Sequence, residues 1–275
     1  MERRSGVIPE VTDYLDQPIG QIPPGWAEAY DETSFWAARF GALLFDSLGL
    51  EPVRDGLDVG CGTGFPLIEL AQVHGRESRW VGVDVWADAM RRAQKKIEML
   101  RLPNVTVKEA DAASLPFDDS AFDLITSNLG INNFDDPPRV MRECARVARR
   151  GARIALTTNM TGHMTEMYDV LREMNPEQQD AIDQQERHRG TLQSLTALLR
   201  DAGFDVSRHL QREFTLSFVD GSAMLRHSLV KWFLDGWRGA MGSDRELWQR
   251  IEQRLNDRGP VRFTVPMLYI EGVRR

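Results

Sequence analysis

Cysteine is scarce in this sequence: Cys61 and Cys144 are the only two, and neither has a neighbour at C-x-x-C or metal-ligand spacing. A disulfide scaffold and a thiolate metal site are therefore not expected. Long apolar runs are also missing. No stretch approaches the roughly 18 consecutive apolar residues that a membrane helix needs, so no membrane span is expected. The start, Met1 to Gly6, is charged and polar and leads into Val7-Ile8-Pro9. This does not read as a secretory leader, and a cytoplasmic protein is expected. A basic excess is absent too, since 34 Lys and Arg stand against 41 Asp and Glu for a net charge of −7. That balance disfavours a nucleic-acid partner, whose contact face needs cations. The one compact basic stretch, Arg91-Arg92 and Lys95-Lys96, alternates with Met90, Ala93, Ile97 and Leu100 at helical spacing. It reads as the solvated face of a helix.

What is present suits one α/β core with an elaboration, within 275 residues of which 42% are hydrophobic. Residues 1–25 carry Pro9, Pro18, Pro23 and Pro24 with little apolar periodicity, the pattern of an extended arm. Helical spacing begins near Ala27, with Phe35, Trp36, Phe40, Leu43, Leu44 and Leu48 on one side, and Gly49 as a stop. Strand-like and helical segments then alternate: Gly56–Val59, Pro66–Val73, Trp80–Val83, Ala87–Arg101, Val105–Val107, Phe122–Thr126, Pro138–Ala148 and Ala152–Thr158. Strands separated by helices imply right-handed crossovers and a parallel sheet covered on both faces. Two further β-like stretches, Arg212–Val219 and Val261–Ile270, bracket a segment rich in Trp and Leu. The division expected is an arm and helix over residues 1–50, acting as a lid, and a domain over 51–275 with a helical insertion at about 221–258.

The strongest chemical signal is Leu57-Asp58-Val59-Gly60-Cys61-Gly62-Thr63-Gly64, a strand that runs into a glycine loop and then a helix. Glycines there let the backbone approach a ligand where a Cβ would collide. A dinucleotide loop wants Gly or Ala three positions after the second glycine, and this chain has Phe65 there. Asp84 closes the second strand, where a carboxylate can accept from two ribose hydroxyls. Asp111, in Glu109-Ala110-Asp111-Ala112 after the third strand, can accept from the exocyclic amine of an adenine.

In ordered combination these residues resemble class I S-adenosylmethionine-dependent methyltransferases, of the ubiquinone- and menaquinone-methyltransferase kind. Leu57–Gly64 is similar to their glycine motif, Asp84 to their ribose-binding acid and Asp111-Ala112 to their adenine contact. Leu115–Asp123 is similar to the stretch that leads into their fourth strand, and the likeness covers roughly residues 55–160. It implies a Rossmann-like, doubly wound, mostly parallel seven-stranded sheet with an antiparallel C-terminal hairpin and helices on both faces. It implies S-adenosyl-L-methionine as cofactor, held by Gly60, Cys61, Gly62, Asp84, Val85, Trp86, Met90, Asp111 and Ala112. Ser127, Asn128 and Leu129 would border its methionine half, and Tyr30 would fold over it or gate the substrate. One departure is Arg149-Arg150-Gly151, where relatives have Pro-Gly-Gly.

Methyl transfer needs little covalent help, because the sulfonium is already activated and the rate comes from alignment and exclusion of water. If a base is used, His163 is the best placed of the five histidines, past the end of the fifth strand, with His227 behind it. Asn132 and Asn133 are candidates to orient a polar group of the acceptor. The site after the fourth strand reads Asn128-Leu129-Gly130-Ile131, which lacks the motif of amino-methylating DNA enzymes. The partner expected is a small organic acceptor, hydrophobic or aromatic. A wall for it is expected from Met224, Leu225, Leu229, Trp232, Phe233 and Trp237. No metal is implied, and a homodimer is left open. Two other readings stand beside this one: a cofactor-binding but catalytically silent interaction protein, and a nucleotide-dependent oxidoreductase.

Overall fold

The computed structural model describes residues 13–17, 19, 20, 25–33 and 35–275. In chain order its helices are α1 (Trp26–Glu32), α2 (Phe35–Ser47), α3 (Leu67–Val73), α4 (Ala87–Leu100), α5 (Pro137–Val147), α6 (Thr165–Met174), α7 (Gln179–Arg187), α8 (Leu192–Ala202), α9 (Gly221–Leu225), α10 (Lys231–Met241) and α11 (Arg245–Asn256). The strands are β1 (Asp55–Val59), β2 (Arg79–Asp84), β3 (Val105–Glu109), β4 (Phe122–Asn128), β5 (Ala148–Asn159), β6 (Phe204–Phe218) and β7 (Val261–Arg274). Two compact units result, one of Pro23–His163, Arg187–Thr215 and Thr264–Arg275, the other of Met1–Ile22, Met164–Glu186 and Leu216–Phe263.

The first unit is built on a seven-stranded sheet in the order β3-β2-β1-β4-β5-β7-β6. Strands β1 to β5 run parallel to one another, and β7 runs antiparallel to β5 from Arg153 opposite Val273 to Asn159 opposite Met267. This is the mostly parallel, Rossmann-like sheet expected. Its central strands β1 and β4 are buried along almost their whole length because both faces are covered. Leu57, Ile125, Ile154 and Leu156 are fully buried or nearly so, in one cluster with Met141 of α5 and Leu199 of α8. Helix α5 starts where Asp136 Oδ1 accepts from the Arg139 amide at 2.9 Å with prolines in its first turn. Helix α8 starts on a Thr191–Ser194 capping box and stops at Gly203, whose φ is +100°.

Two elements differ from expectation. The helical stretch from Ala27 to Leu48 is two helices, interrupted at Thr33, which leaves helical geometry and donates its hydroxyl to the Ala29 carbonyl at 2.7 Å. Strand β6 starts at Phe204, eight residues before the expected Arg212, because its first half is polar. Asp205, Arg208, His209 and Gln211 line a strand at the sheet edge, where exposed side chains hide the alternation that marks a strand. The Arg149-Arg150-Gly151 departure also has a structural account. Arg149 pairs with Asp55 at 2.9 Å and with Asp123 at 2.6 Å, and Arg54 and Arg79 also pair with Asp55. The beginnings of β1, β2, β4 and β5 are thus tied by charge.

The second unit is helical. Trp237 is fully buried, with its ring 6.0 Å from Phe233 and 6.4 Å from Tyr168. Met224, Leu225 and Phe233 are buried as well, while Trp232 is 40% exposed. Four of the six side chains expected to wall an acceptor are therefore the core of this unit, since stacked aromatic rings offer each other more surface than a ligand would. The described part of the N-terminal arm belongs here too. Tyr14 is buried and donates its hydroxyl to Glu252 Oε2 at 3.2 Å. Arg238 donates to the carbonyls of Gln17 at 2.7 Å and Leu15 at 3.2 Å. The four prolines of the arm lie outside the described residues.

Candidate functional site

The glycine loop leaves the end of β1 and is pinned across the sheet. The amides of Gly60 and Cys61 both donate to the Val83 carbonyl, at 2.9 and 3.0 Å. Gly60, Gly62 and Gly64 have φ of +75°, +51° and +98°, a region that favours glycine. A Cβ on Gly64 would meet Ile68 at 2.9 Å, whereas one on Gly62 would meet nothing within 4 Å. Gly64 is therefore set by helix packing, and Gly62 faces open space where a ligand can approach.

Asp84 stands at the end of β2 beside this opening. Its Oδ2 accepts from the Gly62 amide at 2.8 Å and its Oδ1 from the Trp86 amide at 2.9 Å. The carboxylate thus fixes the loop, and each oxygen keeps a lone pair for a ligand hydroxyl. Val85 follows with 67% of its surface exposed, an apolar side chain available to a flat ring. The Tyr30 ring packs edge-on to Trp86 with centroids 6.0 Å apart. Burial raises the Tyr30 hydroxyl above its ordinary range, and the carboxylates of Asp84 and Asp31 raise it further. Asp111 is exposed at the end of β3, and one oxygen accepts from the Ala113 amide at 2.8 Å while Ala112 is buried beside it.

Other expected residues lie in tighter surroundings. Cys61 and Met90 are buried and meet beneath the loop, sulfur to sulfur at 3.7 Å. Asn128 is buried, accepts from Thr157 at 2.7 Å and donates to the Ala37 carbonyl of α2 at 3.3 Å. Leu129 turns the chain there with φ +69°, a strained value for leucine, and its amide donates to the Thr157 carbonyl at 2.8 Å. His163 is fully buried, its ring centroid 6.3 Å from that of His188. Burial above all, then Arg189 and His188, lowers its pKa to about 3. A ring sealed from solvent and held neutral is a weak base, so the base role expected for it requires that the ring be uncovered.

Sequence reasoning did not single out three residues that build this site. Asp31, next to Tyr30, bonds Arg92 at 2.8 Å and Lys96 at 2.6 Å on α4, and Thr63 in the glycine loop. Burial opposes its charge, but the hydrogen bonds from Lys96 and Arg92 outweigh it and hold Asp31 below the ordinary carboxylate range. Asp58, fully buried under the loop, accepts from Thr126 at 2.7 Å. Burial raises its pKa to about 7, Asp84 pushes it further up, and Thr126 with the Leu67 amide offsets part of the rise. Asn159 ends β5, buried beside Asn132. The charged partners of Asp31, Arg92 and Lys96, lie more than 60 residues away, and nothing local in the sequence announces them.

Residues 57–156 match the methyltransferase domain family. A demethylmenaquinone methyltransferase of Bacillus cereus is 33% identical over 107 residues, covering 39% of this chain and 45% of that protein. A 37.1 kDa protein in transposon TN4556 of Streptomyces fradiae is 27% identical over 211 residues, covering 75% of this chain and 57% of that one. The chain thus spans about half the length of these curated relatives. Among solved structures, the SAM dependent methyltransferase from Aquifex aeolicus superposes with a TM-score of 0.53 at 23% identity, over 69% of this chain and 93% of that one. The [4+2]-cyclase SpnF superposes with 0.56 at 19% identity, over 86% and 80%. Fold, loop and sequence match agree over residues 57–156: that segment is a methyltransferase domain, similar to those of class I S-adenosylmethionine-dependent enzymes. S-adenosyl-L-methionine is the cofactor of that class, and an open glycine cradle beside a carboxylate and an exposed apolar side chain fits it. Among the described residues no helix is long and apolar enough to cross a membrane.

Proposed function

We propose that this protein transfers a methyl group from S-adenosyl-L-methionine to a small, hydrophobic or aromatic organic acceptor. The observation that carries this reading is the pairing of Gly62, open above the loop, with Asp84, which holds that loop and keeps acceptor capacity. In this reading Asp84 takes the ribose hydroxyls, Asp111 and Ala112 the adenine edge, and Val85 with Trp86 the flat face of the base. Tyr30 covers the site, and the loop amides from Gly60 to Gly62 with Asn128 and Leu129 border the methionine half. When bound, the cofactor supplies an activated methyl group on a sulfonium. The protein's part is then to align the acceptor and exclude water.

An acceptor of quinone-like chemistry is favoured by the demethylmenaquinone methyltransferase of Bacillus cereus among the relatives. The likeness to a [4+2]-cyclase favours keeping a second reading, because the same fold serves a protein named for another reaction. The two buried thiols, Cys61 and Cys144, suit a reducing cytoplasm. The test is turnover of methyl-labelled S-adenosylmethionine with a panel of hydroxylated aromatics. Label in an organic product supports methyl transfer. Tight cofactor binding with no labelled product from any acceptor favours the second reading.

A further inference from the structure

At the carboxyl ends of β4 and β5, the edge at which open α/β sheets take their ligands, a buried polar group is left over. The Asn132 amide nitrogen reaches Asn159 Oδ1 at 2.7 Å and bonds the Thr158 hydroxyl as well. That fixes the plane of the Asn159 amide. Asn159 is 2% exposed, and its Nδ2 finds no acceptor among the described residues. A buried amide donor left unsatisfied is costly, and a fold tolerates that cost where a ligand atom supplies the bond. The surroundings are stiff. The Met160 amide donates to the Pro266 carbonyl at 3.1 Å, Arg189 donates to the Asn132 carbonyl at 3.2 Å, and the Leu129 turn next to Asn128 is held in its strained form. Ile131 and Met160 bring apolar surface to the same corner.

Resting on the methyl-transfer reading above, we propose that Asn159, oriented by Asn132, donates a hydrogen bond to an oxygen of the acceptor, a carbonyl or phenol oxygen borne on an aromatic ring. The amide is a neutral donor, so it selects an oxygen over a methyl group of the same size and turns the ring about that contact. Asn132 is a positioning residue, because its own nitrogen is engaged by Thr158 and Asn159.

The test uses the full chain saturated with S-adenosylhomocysteine and two probes of equal shape, 1-naphthol and 1-methylnaphthalene. Wild type is expected to prefer 1-naphthol by roughly five- to tenfold, the worth of one neutral hydrogen bond. Asn159→Leu, which keeps the side-chain shape and removes the donor, is expected to abolish the preference while S-adenosylhomocysteine affinity stays within about twofold. Should that variant fail to fold, Asn132→Ala leaves the Asn159 amide unoriented and is expected to lose the same preference. Equal affinity of wild type for both probes overturns the proposal, as does binding of neither while S-adenosylhomocysteine still binds. A preference that survives in the folded variants overturns it too. Failure of wild type to bind S-adenosylhomocysteine overturns the methyl-transfer reading instead.

Discussion

At the scale of single residues, Asp84 has two duties, and they can be separated. Asp84→Ala is expected to weaken cofactor affinity roughly 10- to 100-fold, as ribose hydroxyls lose a charged acceptor, and to lower stability as the Gly62 and Trp86 amides lose their partner. Calorimetry and thermal melts of the same variant read the two effects; unchanged affinity removes the ribose assignment. Asp58 makes a pH prediction. Its folded pKa, about 7, lies above the ordinary 3.8. The stability it contributes is fully present below 3.8 and is lost as pH rises through 7. Asp58→Asn is expected to flatten the fall in stability between pH 4 and 8, and denaturation midpoints across that range check it. The glycine loop and the strand-end positions of Asp84 and Asp111 were legible in the sequence because a backbone-close loop and strand-end acids have local signatures. Asp58 was read there only within the Leu57–Gly64 motif, since its charge state depends on burial that appears once β1 lies between β2 and β4 in the covered sheet.

At the scale of elements, helix α1 is secured by one carboxylate. Asp31 and its partners Arg92 and Lys96 are mostly buried, with side chains 13%, 21% and 20% exposed. Asp31→Ala is expected to destabilise the protein by about 1–3 kcal/mol, below the full cost of breaking a sealed pair, and to loosen Tyr30 over Trp86. Hydrogen exchange along residues 26–32 measures this. High protection in the free wild-type protein, lost in the variant, matches a clamped helix; low protection that rises only with cofactor matches the lid expected from sequence. Strand β6 marks where legibility ends among the elements. Central strands announce themselves by short apolar runs. An edge strand carrying Asp205, Arg208 and His209 looks like a loop until its neighbour β7 is known.

At the scale of the molecule, the sheet unit carries the glycine loop with Asp84, and the helical unit is organised around Trp237. Trp237→Ala is expected to cost about 3–5 kcal/mol through the cavity it leaves, with cofactor affinity below the melting temperature unchanged within about twofold. A matched fall in affinity would show that the two units do not act separately. The sheet unit was predictable as a whole because alternating strands and helices permit few topologies. Of the helical unit, the helices at about 221–258 were expected, but not their joining to residues 164–186, which meet them across a gap in sequence with no repeating pattern to join the two. The central claim, that the glycine loop and Asp84 form a methyl-donor site, is tested most directly by calorimetric titration of the purified chain with S-adenosylmethionine, S-adenosylhomocysteine and NAD. The expected result is one site per chain for the first two and none for NAD; saturable NAD binding, or no binding of either sulfur ligand, would contradict it.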